Sequence, residues 1–125
     1  MDVAQAIRLK RAVRSYAARP LPEEAIQATL LAGRRAQSAK NTQPWHFIAV
    51  QERSSLEALG RTGTFAEYLA GAPLAVVILT PDPAQRWSIL FDAGQAAALR
   101  PVPEADWTFF IRCASGQAGQ RLSRP

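Results

Sequence analysis

The stretch Gln37–Val50, QSAKNTQPWHFIAV, changes character in its middle. Its first seven residues are polar or small and include the side-chain amides of Asn41 and Gln43. Pro44-Trp45 follows, and then a β-prone run from His46 to Val50, which reads as a strand. An ordinary turn needs one or two turn-forming residues, whereas this loop offers Ser38, Lys40, Asn41, Thr42 and Gln43 together. Such a cluster at the mouth of a strand faces solvent, caps its own backbone, or meets a polar ligand. The segments on either side must decide among these.

Working outward, Leu74–Thr80 (LAVVILT) is a continuous, mostly β-branched run, the pattern of a strand buried on both faces. Residues 2–9 carry helical spacing in Val3, Ala6 and Ile7. Pro20 and Pro22 interrupt the chain, and Pro22 suits the first helical position with Glu23 and Glu24 in the first turn. This predicts a helix over 22–36 with Arg34-Arg35 near its C-terminus. SSLE at 54–57 and TFAE at 64–67 have capping-box spacing and predict two short helices ending near Gly60 and Gly71. After the turn Pro81–Pro83, residues 84–99 read as a helix. Helices alternating with buried strands give a mixed α/β layered domain.

The bulk composition is that of a globular chain: 125 residues, 48% hydrophobic and 20% charged, enough for one domain with a modest core. No apolar run reaches the roughly 20 residues that span a membrane, and the N-terminus MDVAQAIRLKR has no secretory h-region. The single cysteine, Cys113, fits a reducing, cytoplasmic setting. With His46 the only histidine, neither a structural metal site nor a histidine triad is expected. Net charge is +5, and residues 1–35 hold seven Lys/Arg against three Asp/Glu. A basic N-terminal segment points to an anionic partner, either nucleic acid or a small phosphate-bearing ligand. A nucleic-acid module would interleave cations with stacking aromatics, which this segment does not do.

Two clusters can carry chemistry. Arg8, Lys10, Arg11 and Arg14 form a basic group that reads either as a solvated face or as a phosphate grip, since guanidinium groups bind phosphate bidentately. Asn41 and Gln43 each present a donor and an acceptor, which suits the imide-like edge of a heterocycle.

Taken in order, KRAVRSYAARPLPEEAI (Lys10–Ile26), QSAKNTQPWHFIAV and FDAGQAAA (Phe91–Ala98) resemble the nitroreductase family of FMN-dependent NAD(P)H oxidoreductases. That family opens with an R-R-S-x-R-like motif and a Pro/Glu-rich helix start, followed by P-S-x-x-N-x-Q-P-W before a strand. The resemblance spans about residues 1–98. It implies an α+β fold, a nitroreductase-like three-layer α/β/α domain with a mixed central sheet, here apparently truncated.

The resemblance also implies roles. Lys10, Arg11 and Arg14 match positions that hold the FMN phosphate and ribityl end; Ala12 stands where the family has serine, leaving at most a backbone contact. Ser38 and Ala39 match the loop bordering the flavin, and Asn41 and Gln43 match amides near the ring and ribityl chain. Gln37 replaces the customary proline. Trp45 reads as packing at the strand entrance, and His46 as a rim residue. No catalytic side chain and no metal ligand is assigned. The implied activity is hydride transfer from NAD(P)H through FMN to a nitroaromatic or quinone-like small molecule, by ping-pong turnover in a homodimer. The alternative is a truncated, inactive flavin-binding or interaction protein.

After Leu99 the composition shifts. Arg100-Pro101-Val102-Pro103 ends the helix, Trp107–Cys113 is a candidate single strand, and the remainder reads as a disordered tail. The expectation is therefore an N-terminal flavin-binding part, 1–98, and an atypical tail, 99–125, from a shortened variant or, as the abrupt change favours, a shifted reading frame near residue 98.

Overall fold

The computed structural model describes residues 2–9, 14–17, 19–98 and 108–111. Helix α1 (Val3–Leu9) opens the chain. Helix α2 (Glu23–Arg34) follows a proline that serves as N-cap and not as the first helical residue: Pro22 has φ −61° and ψ 145°, and its carbonyl accepts from Ala25 and Ile26 at 3.0 and 3.3 Å. The helix is two residues shorter at its C-terminus than its periodicity predicts. The Arg35 and Ala36 N–H groups close the last turn on carbonyls three and four residues back.

Strand β1 (His46–Val50) and strand β2 (Ala75–Leu79) pair antiparallel, with His46 opposite Leu79 and Val50 opposite Ala75. Strand β3 (Thr108–Ile111) lies parallel to β2 on its other side, with Ala75 opposite Thr108. The order β1-β2-β3 is thus a mixed sheet with β2 in the centre, and the candidate strand at 107–113 is its third member. The buried run was legible in β2 because a strand covered on both faces and paired on both edges has no polar side to show. Ala75, Val76, Val77 and Ile78 are all buried.

Alternation along β2 sends its side chains into two cores. Leu74, Val76 and Ile78 face α2 and helix α4 (Ser88–Ala98). There Ile26 packs on Leu74 and Val76, while Trp45, Ala93 and Ala96 pack around Ile78, and Phe47 from β1 joins both groups. Ala75 faces the other way, onto Leu56, Ala66 and Leu69. That second layer consists of helix α3 (Arg53–Gly60) and the 3₁₀ turn Glu67–Gly71. Three layers result, with the sheet between two helical faces. Fully buried Leu56, Leu69 and Leu74 each contribute about 1.5–3 kcal/mol relative to exposure.

Local caps depart from the sequence motifs at three places. Helix α3 starts one residue before the Ser54–Glu57 box because Glu52 caps it from outside, accepting from the Ser54 and Ser55 backbone N–H groups at 3.2 and 2.8 Å. Thr64–Glu67 does not cap a helix. Glu67–Gly71 forms only a 3₁₀ turn with no side-chain cap, too short to repay an α-helical nucleus. The helix read over 84–99 is divided: Asp82 accepts from the Ala84 N–H and fixes a 3₁₀ turn at Pro83–Gln85, and Arg86, extended at φ −161°, separates that turn from α4.

Candidate functional site

The loop between α2 and β1 is a compact, self-tied structure. Ser38 is extended (φ −144°, ψ 154°) and leads into a 3₁₀ turn, Ala39–Asn41. The Asn41 N–H donates to the Ser38 carbonyl at 2.9 Å, and the Gln43 N–H donates to Ser38 Oγ at 2.8 Å. Thr42 closes on the Ala39 carbonyl through both its N–H, at 3.2 Å, and its hydroxyl, at 3.0 Å. Within this frame Lys40, Asn41 and Gln43 hold φ values of 55°, 53° and 46°. The left-handed region costs most L-residues about 1–2 kcal/mol, asparagine less than the others.

Two tethers from the segment around α4 hold the loop in place. Asp92, on α4 and 2% exposed, accepts from the Ala39 N–H with both carboxylate oxygens at 3.2 Å. Arg86, just before α4, donates from Nη2 to Thr42 Oγ1 at 2.7 Å. Below the loop, Trp45 is buried against Ala36, Ile78, Ala93 and Ala96, with its ring centroid 6.2 Å from that of Phe47. It is the packing residue that its place before β1 suggested. Polar atoms gather at the same end of β2: Thr80 Oγ1, Arg86 Nε and Ser88 Oγ are buried with no hydrogen-bond partner among the described residues.

This geometry separates the polar residues of the loop into two kinds. Ser38 and Thr42 satisfy the backbone, and the Ala39 N–H is committed to Asp92. The Asn41 and Gln43 side chains are exposed and make no hydrogen bond among the described residues, so they are not the loop's own caps. His46 is exposed at the rim. Arg14 is exposed in an irregular segment, 14–17, and makes no hydrogen bond to the loop among the described residues. Lys10, Arg11 and Ala12 lie outside the described residues. The structure therefore brings Ser38, Ala39, Asn41 and Gln43 into one unit, and of the phosphate-grip candidates it describes Arg14 alone.

Asp92 and Arg86 were not singled out by the sequence reading. The signal for Asp92 was available: a lone carboxylate in the apolar helix ILFDAGQAAA, where a buried charge needs a partner. Among the described residues no three or more His, Cys, Asp or Glu could hold a metal ion, and no helix is long and apolar enough to cross a membrane.

Comparison with known proteins agrees with this architecture. The model of the nitroreductase family matches residues 7–111, a span that takes in β3. A protein of Methanothermobacter thermautotrophicus with the provisional name NADH dehydrogenase/NAD(P)H nitroreductase is 37% identical over 78 residues, 62% of this chain and 41% of that protein. An NADH dehydrogenase of Thermus thermophilus is 31% identical over 78 residues, 62% of this chain and 38% of that one. Among solved structures, an FMN-dependent nitroreductase from Clostridium difficile R20291 has a TM-score of 0.66 at 32% identity, covering 72% of this chain and 53% of that one. A nitroreductase with bound FMN from Bacteroides fragilis shares the fold, with a TM-score of 0.64 at 23% identity over 78% of this chain and 61% of that one. The chain spans about two-fifths of the length of these curated relatives and a little over half of these structures.

Proposed function

We propose, on the premise that this chain belongs to the nitroreductase family, that it binds FMN and works as an NAD(P)H-dependent oxidoreductase on a small nitroaromatic or quinone-like acceptor. One observation carries the reading. A loop whose backbone is satisfied by Ser38, Thr42 and Asp92 leaves the Asn41 and Gln43 amides exposed and without a hydrogen bond among the described residues, at the mouth of a strand fixed by buried Trp45. Amides that offer a donor and an acceptor each suit the edge of a flavin ring. Rigid support beneath a polar loop is how a scaffold holds a binding group in place.

In this reading Asn41 and Gln43 bind the ring and ribityl portion, with Ser38 and Ala39 forming the border of the loop. Lys10, Arg11 and Arg14, with the Ala12 backbone, hold the phosphate. A bound flavin supplies the reversible two-electron chemistry, for which the described side chains have no equivalent. The protein's part is binding and orientation, and we assign it no acid or base. NAD(P)H and the acceptor use one cleft in turn, the oxidised nicotinamide leaving before the acceptor enters. We further propose a cytoplasmic homodimer. Trp87, immediately before α4, and Leu90 and Phe91 on it are 84%, 51% and 63% exposed, and a monomer rarely leaves three large apolar groups so near one another on its surface.

Flavin titration tests the assignment. FMN at 100 times its dissociation constant stabilises the folded state by about 2.7 kcal/mol, a shift in melting temperature on the order of 10 °C. Arg11→Ala with Arg14→Ala removes charge-assisted bonds worth about 1.5–3 kcal/mol each. FMN affinity should then fall about 100-fold or more while riboflavin, which lacks the phosphate, binds as before. No thermal shift with FMN, or an equal loss for both flavins, rejects the reading.

A further inference from the structure

We infer that Asp92 is a positioning residue for flavin binding: its buried carboxylate, clasping the Ala39 N–H from α4, sets the loop that presents Asn41 and Gln43. The inference rests on the function proposed above and extends it to a residue that contacts the loop and not the ligand. Asp92 is the one carboxylate among the buried described residues, and Ala93 and Ala96 on the same helix are fully buried in apolar packing. A carboxylate in such a place is costly unless it is hydrogen-bonded, and its partner among the described residues is the Ala39 N–H alone. That N–H belongs to the residue immediately before Lys40 and Asn41, both held in the left-handed region. Removing the clasp frees the one point, among the described residues, at which α4 grips the loop's backbone. Arg86 grips only a side chain, Thr42.

The site allows the bond to be removed from either side. Asp92→Asn keeps an oxygen that can accept from Ala39, whereas Asp92→Leu keeps bulk and loses the acceptor. Ala39→Pro removes the donor without changing residue 92, its ring carbon displacing the carboxylate that the N–H had held. Ala39 is the first residue of its 3₁₀ turn and Ser38 before it is already extended, so the backbone suits proline and the strain of the change falls on the Asp92 contact. The experiment has two readouts on the full chain. Without ligand, exchange of the Ala39 amide should be slow in the parent protein and in Asp92→Asn, and fast in Asp92→Leu. With ligand, Asp92→Leu and Ala39→Pro should each weaken FMN and riboflavin equally, by about tenfold, while Asp92→Asn stays within a fewfold of the parent.

Equal loss for the two flavins distinguishes this role from the phosphate grip, whose loss falls on FMN alone. If Asp92→Leu unfolds, a folded Ala39→Pro, or the Ala39 amide exchange of the parent and Asp92→Asn, still decides the matter. Rapid exchange of the Ala39 amide in the parent, unchanged flavin affinity in a folded Ala39→Pro, or an Asp92→Asn as weak as Ala39→Pro would each overturn the inference. A parent that binds no flavin overturns the proposed function and the positioning role with it; the amide exchange then reports only whether the clasp exists.

Discussion

Lys40 offers the most direct test of the loop, because its side chain is exposed and its backbone carries the anomaly. At φ 55° and ψ 22° it sits in the left-handed region inside a 3₁₀ turn. That conformation costs a non-glycine residue about 1–2 kcal/mol. Glycine has no Cβ and escapes the cost, but loses about 0.5–1 kcal/mol through the extra freedom of its unfolded chain. Lys40→Gly should therefore stabilise the ligand-free protein by roughly 0.5–1 kcal/mol on these two terms. Lys40→Val places a β-branched residue where it is a genuine outlier and should destabilise by at least about 1 kcal/mol. The two variants differ at one exposed side chain, yet should lie about 2 kcal/mol apart, or on the order of 1 M in urea midpoint at a slope of about 2 kcal/mol per molar. Equilibrium unfolding followed by circular dichroism reads this directly, provided the slope is unchanged among the three proteins. Flavin affinity should move the other way in Lys40→Gly, since a loop with more freedom must be ordered on binding. Equal midpoints for glycine and valine would show that residue 40 is not left-handed in solution, and the account of a strained, tethered loop would fall.

Two further predictions concern the scaffold. Glu52 caps α3, and its pKa is lowered from 4.5 to about 2 chiefly by the Ser54 hydroxyl, then by the Ser55 hydroxyl and backbone N–H. A carboxyl with a depressed folded-state pKa stabilises fully above its unfolded value and loses that contribution as pH falls. The parent should thus exceed Glu52→Gln in urea midpoint at neutral pH, with the gap closing between about pH 4.5 and about pH 2; a gap that ignores pH over that window counts against the cap. Gly33 lies where α2 meets β1, and a Cβ there would stand 3.3 Å from Phe47 Cζ. Alanine should be close to neutral, its helix propensity gain of about 1 kcal/mol set against that tight contact, and leucine should cost about 1–3 kcal/mol; a leucine variant as stable as the parent in thermal melts would refute the close approach.

What the sequence made legible was local or periodic. β2 could be read because burial on both faces writes an unbroken apolar run, and β1 because Pro44-Trp45 marks where the polar loop ends. The polar residues of the loop could be listed as candidates, but their separation into backbone caps and exposed amides could not. That separation depends on contacts between residues far apart in the chain: Ala39 with Asp92, 53 residues on, and Thr42 with Arg86, 44 residues on. The lone carboxylate at residue 92 called for a partner, but nothing local in either pair says which residue it is. The left-handed residues were hidden for a related reason. Of Lys40, Asn41 and Gln43 only asparagine is an ordinary occupant of that region, so residue type gave no warning. The motif at Ser54–Glu57 misled because spacing alone cannot tell whether a helix is capped by its own serine or by the preceding Glu52. The parallel course of β3 was equally invisible, since it depends on how the chain returns after α4.

The topology explains why these long-range contacts meet at the loop. β1 runs antiparallel to β2, so His46, at the start of β1, stands opposite Leu79, at the end of β2. β3 runs parallel to β2, with Ile111 opposite Ile78. The loop that enters β1 therefore lies at the carboxyl end of the parallel pair, where open α/β sheets most often receive ligands. The chain leaving β2 must turn at this same end before α4 can carry it back along the sheet. That turn contains Arg86, and Asp92 lies in the first half of α4. One crossover thus fixes the sheet order and delivers both tethers to the polar loop. An isolated 37–45 peptide would have neither tether and no buried seat for Trp45, and its three left-handed residues would be free to relax. The arrangement of Asn41 and Gln43 is consequently a property of the β2–α4 unit as much as of the loop that carries them.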